Sequence, residues 1–193
     1  MADPRFNLQS FTIRRKIFSL MATKFHLYDP NGKLVFYCEM KPNELKQDIH
    51  LYTDEDMKEE LLTIQARNII NFSGTFDVIE TKTGEKVGAL KRKGAQSILR
   101  DEWGILDLND VEIGQVTEDN MILALLRRFV TNLIPQRYDF FLKGTKVATF
   151  TQNFNPMAER IAVDFSATTG NLLDPRLGIA AGLLLAAIER RQR

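Results

Sequence analysis

The chain has 193 residues, 44% hydrophobic and 26% charged, enough to bury a substantial core in one domain or at most two small ones. Its 26 Lys and Arg nearly balance 25 Asp and Glu, so a net charge of +1 argues against a wholly basic nucleic-acid binder. One cysteine, Cys38, excludes an internal disulfide, and two histidines, His26 and His50, argue against a histidine-rich metal site.

The opening residues, MADPRFNLQS, contain no apolar run of signal-peptide type, which points to the cytoplasm. Residues 9–18 alternate well enough to predict a strand. FHLYDPNGKLVFY, from Phe25, then predicts a hairpin: apolar and aromatic runs flank Asn31-Gly32, a pair that tolerates positive φ. Residues 48–53 and 61–68 read as two further strands, with the acidic run Asp54-Glu55-Asp56 and Glu59-Glu60 as a solvated loop between them. Three more hairpins follow on the first pattern: FDVIETKTGEKVGAL from Phe76, WGILDLNDVEIGQV from Trp103, and YDFFLKGTKVATF from Tyr138. Their spacing is irregular, which argues against a solenoid. MILALLRRF, 121–129, predicts a short helix that caps one end of the sheet and turns Arg127 and Arg128 to solvent. Residues 160–165 predict a last strand.

The C-terminus differs. Asp174-Pro175 is a helix start, since Asp caps orphan N–H groups and Pro suits the first turn. LGIAAGLLLAAI, 177–188, then runs without a charge. Twelve residues span roughly 18 Å, whereas a bilayer requires about 20 apolar residues. The run is therefore read as a buried core helix rather than a membrane span. A helix apolar on every side, beside many antiparallel strands, is best buried if the sheet curls around it and pairs its own edges. Gly178 and Gly182 let neighbouring backbone come close. Gly88, Gly114 and Ala148 share one place in their hairpins and read as room for strands that crowd the helix, although strand glycines also mark bulges.

These segments resemble the tubby C-terminal-like superfamily and, within it, the LURP-one-related proteins; phospholipid scramblases are more distantly similar. The carrying features are FHLYDPNGKLVFY, FDVIETKTGEKVGALKRKG leading into RDEWGILD, and DPRLGIAAGLLLAAIERR, over residues 11–191. The resemblance implies a mainly β fold: a closed antiparallel barrel of about twelve strands around a buried hydrophobic helix. It also implies a single domain, 1–193, with the helix over 174–191 as its core. Tubby-like domains bind phosphoinositides and scramblases move lipids. However, the scramblase cysteine-rich stretch is absent, and Asp29-Pro30-Asn31-Gly32 lacks the ligand series of a calcium loop. Calcium-dependent scrambling is not carried over.

Two basic clusters are the candidate ligand site: Arg14 and Lys16 beside Arg15, and Lys91, Arg92 and Lys93 ahead of Arg100. Phosphate recognition needs several cationic donors converging on one place. The competing reading is a solvated strand end that protects a sheet edge. Arg15 is in phase with Phe11 and Ile13 and needs a partner, a bulge or a surface-facing strand. Cys38 reads as a strand hydrophobe and Trp103 as a core residue. No nucleophile elbow, P-loop, dinucleotide fingerprint or HExxH motif occurs. The sequence therefore predicts a non-enzymatic binding protein without metal or cofactor, directed to a phosphoinositide or other anionic ligand, or to an acidic membrane surface as a peripheral cytoplasmic protein. The alternative is a protein-interaction or structural domain, related to stress or defence by analogy with relatives.

Overall fold

A computed structural model describes residues 3–16, 22–40, 48–67, 74–93, 102–118, 136–153, 158–167 and 172–188. A 3₁₀ turn, Pro4–Asn7, starts where the Asp3 side chain accepts from the Arg5 N–H at 2.9 Å. Twelve strands follow: β1 (Ser10–Lys16), β2 (Thr23–Tyr28), β3 (Leu34–Met40), β4 (Ile49–Tyr52), β5 (Glu60–Ala66), β6 (Thr75–Glu80), β7 (Glu85–Lys93), β8 (Glu102–Leu106), β9 (Glu112–Glu118), β10 (Gln136–Leu142), β11 (Thr145–Asn153) and β12 (Ala158–Asp164). Each pairs antiparallel with its neighbours in sequence, and β1 pairs with β12, which closes the barrel. An even number of antiparallel strands closes without leaving an edge.

The helix α1 (Pro175–Ile188) fills the interior and packs against β1, β6, β7 and β12. Asp174 is its N-cap: Oδ1 accepts from the Arg176 backbone N–H at 2.9 Å. Leu177, Ile179, Leu183, Leu184 and Leu185 are all buried, each contributing about 1.5–3 kcal/mol relative to exposure. Phe6, in the 3₁₀ turn, stacks on Phe36 of β3 with ring centroids 5.0 Å apart. The predicted strands over 9–18, 48–53, 61–68 and 160–165 correspond to β1, β4, β5 and β12. The predicted helix over 121–129 lies outside the described residues, as do 189–191.

The sequence reading missed a hairpin. β4 and β5 pair as the other hairpins do, but their acidic turn carries no glycine and no aromatic opens the first arm. With that hairpin included, all five hairpins share one feature. The register slips once in the second arm of each of five hairpins, at Val35, Leu61, Val87, Ile113 and Val147. Each slip is a β-bulge that leaves one extra residue facing a single partner. Gly88, Gly114 and Ala148 therefore share a place because each follows a bulge. Of the two glycines, only Gly88 faces the helix: a Cβ there would meet Leu177 at 3.0 Å and the Leu106 carbonyl at 2.7 Å. Gly114 lies instead against Phe141 and Leu142 of β10.

Candidate anion-binding patch

β1 alternates cleanly. Phe11 and Ile13 are buried inside, and Thr12, Arg14 and Lys16 face out. Register supplies the neighbours: Arg14 stands opposite Arg160 of β12 on one side and His26 of β2 on the other, and Lys16 stands opposite Lys24. Residues directly opposite on paired strands share a face. Arg14, Lys16, Arg160 and Lys24 thus form one basic patch across β12, β1 and β2. Like charges directly opposite one another repel and lower stability. The Arg14 guanidinium lies over the Tyr28 ring, 4.6 Å from its centroid, which fixes the fork while leaving its N–H groups available. Lys24 reaches Glu39 of β3 at 3.4 Å. Among the described residues, no carboxylate pairs with Arg14, Lys16 or Arg160.

His26 also belongs to the outer face, yet it is only 2% exposed. Tyr37 of β3 packs edge-on against its ring at 5.1 Å, and Tyr28 stacks on it at 6.2 Å. Its Nε2 donates to Glu55 Oε1 at 3.1 Å, so one residue of the acidic 53–59 loop is fastened over β2 and β3. The Tyr37 hydroxyl donates to Glu39 Oε2 at 2.6 Å. Burial, reinforced by Glu39, pushes the Tyr37 phenol well above its ordinary range.

A family model described as LURP-one-related matches residues 9–180. The chain belongs to the LURP-one-related family. The matched span takes in all twelve strands, the patch and the first turns of α1. No curated protein and no solved structure matches the chain. No helix among the described residues of this LURP-one-related chain is long and apolar enough to cross a membrane.

The barrel does not bring the two basic clusters together. β7 stands six strands from β1 in either direction, on the opposite wall. There Lys91 is exposed, and Lys93 is held by Glu112 at 2.6 Å. Arg92 is not a surface donor. It faces inward at 9% exposure, with its guanidinium 5.9 Å from the Trp103 ring centroid. Arg100 lies outside the described residues. Arg15, in phase with the core, lies over the Phe25 ring at 6.0 Å. Lys24 and Arg160 were missed because each is a lone cation in its own segment, and only cross-strand register joins them to β1.

Other titratable groups form ion pairs elsewhere on the barrel. His50 Nδ1 lies 3.0 Å from Glu60 Oε1, which also accepts from Thr63 and Thr81. Burial alone would raise Glu60, but these hydrogen bonds outweigh it and hold the carboxyl below its ordinary value. Asp77 and Asp110 are clamped by Arg67 and Lys86. Cys38 is buried in the core, as is Trp103.

Proposed function

We propose that this LURP-one-related chain is a non-enzymatic binding protein that docks on phosphate-bearing acidic surfaces, peripherally at a cytoplasmic membrane face, through Arg14, Lys16, Arg160 and Lys24. The observation that carries this reading is the register that sets Arg14 against Arg160 and Lys16 against Lys24. Repelling cations gathered on one wall gain most from an anion that bridges them. Arg supplies planar forks and Lys point charges, a set suited to phosphate oxygens. Juxtaposed basic residues gain about 1 kcal/mol each near an anionic leaflet.

The test is sedimentation with phosphatidylserine-containing vesicles against neutral phosphatidylcholine vesicles at low and physiological salt. The expected result is binding to the acidic vesicles alone, weakening as salt rises. Arg14→Glu with Lys16→Glu should abolish it. Lys91→Glu with Lys93→Glu, on the opposite wall, should change it little. Equal loss in both pairs would mean that net charge, not the patch, attracts the membrane. No binding of the wild type at low salt would reject the function.

A further inference from the structure

We propose that the acidic 53–59 loop weakens the basic patch by its nearby charge, with Glu55 held beside the patch by the His26–Glu55 contact. This rests on the reading of the patch given above. The loop leaves the barrel at the end of β4, where Tyr52 pairs with Tyr37 of β3. It is tied to itself by Thr53 N–H to the Glu59 carbonyl at 3.1 Å and by Met57 N–H to the Asp54 carbonyl at 3.3 Å. Asp54, Glu55, Asp56 and Glu59 all reach solvent from this small closed unit, where Lys58 pairs with Asp56 at 3.1 Å and Arg5 of the 3₁₀ turn lies 3.9 Å from Glu59; Glu55 is the carboxylate turned toward β2.

A solvated acidic turn has no need of a buried histidine. Here one is provided: His26 is almost wholly covered by Tyr28, Tyr37 and the loop, and it donates to Glu55 at 3.1 Å. His26 is also the register neighbour of Arg14, whose guanidinium lies over Tyr28. Arg14, Tyr28, His26 and Glu55 therefore form one continuous row from patch to loop. A carboxylate bonded to the neighbour of a patch residue acts on the patch, because screening at physiological salt takes about 8 Å. Glu39 works in the same sense on Lys24, at 3.4 Å. The loop thus presents to the patch the same charge that a phosphate-bearing surface would present. Docking is strengthened when the loop is neutralised or released.

The experiment uses the full chain and the same phosphatidylserine vesicles. Glu55→Gln removes the charge, and His26→Phe removes the tether while leaving every loop charge in place. Glu55→Gln should tighten vesicle binding about fivefold, the scale of one charge near an anionic leaflet, and His26→Phe should tighten it as well. His26→Phe should also open residues 53–59 to limited proteolysis. Should Glu55→Gln fail to fold, Glu55→Ala removes the same charge and should tighten binding likewise. Glu85→Gln, on β7, controls for net charge and should bind as the wild type does. The inference is overturned if the patch reversals abolish binding while Glu55→Gln and His26→Phe bind as the wild type does. If the wild type does not bind, or the reversals leave binding intact, the patch reading fails and this inference with it.

Discussion

Asp110 stands at positive φ, 64°, in the β8–β9 turn, and its carboxylate meets both Arg67 and Lys86. Hydrogen bonds from Arg67, then Lys86, hold its pKa at about 2 against an ordinary 3.8. A folded-state value below the unfolded one stabilises the fold fully above the unfolded value. That contribution is lost as pH falls from 3.8 to about 2. Thermal melts across this window should therefore show a steeper acid loss in the wild type than in Asp110→Asn. Equal slopes would mean that the ion pairs contribute nothing. The glycines of α1 make a second prediction. A Cβ at Gly178 would sit 2.4 Å from the Phe165 ring, whereas one at Gly182 would meet Ile13 and Phe150 at 3.0 Å. Overpacking costs about 1–3 kcal/mol, so Gly178→Ala should lower the melting temperature more than Gly182→Ala. The reverse order would place the crowding elsewhere.

Among the elements, bulges explain where reading the sequence as alternating strands fails. Val35 with Phe36, Leu61 with Leu62, and Val147 with Ala148 are adjacent pairs in which both residues are buried. A strict period of two would put one of each pair in solvent. The bulge resets the phase instead. The first four bulges fall at residues 35, 61, 87 and 113, equal steps of 26 residues. That regularity was hidden while the aromatic openings at Phe25, Phe76, Trp103 and Tyr138 set the comparison. Turn chemistry and the uncharged run made four hairpins and the helix legible. Cross-strand register was not legible, so Arg92 was grouped with surface cations and Lys24 and Arg160 were left out. The helix is the element on which the rest depends. Leu184 is 1% exposed, so Leu184→Asp would bury a carboxylate without a partner. Circular dichroism should show no cooperative melt for Leu184→Asp or for a chain ending before Asp174. A soluble truncated chain with an intact cooperative melt would mean that the barrel closes without its centre.

For the molecule as a whole, strand order decides what the sequence could not. Two basic runs on one chain look like halves of a single site until the barrel sets them on opposite walls. Closure also carries a consequence for how the protein is made. Ser10 pairs with Asp164, and the helix inside the barrel comes after both. Translation proceeds at about 5–20 residues per second, so β1 emerges on the order of ten seconds before its partner. Throughout that interval the inward faces of eleven strands have neither a closed wall nor a centre to pack on. Each hairpin can form locally as it appears, but the barrel must stay open for its last segment. The nascent chain therefore exposes the surface that chaperones recognise until the helix has been made, and a ribosome that stalls before it leaves a species with every strand made and no helix to pack on.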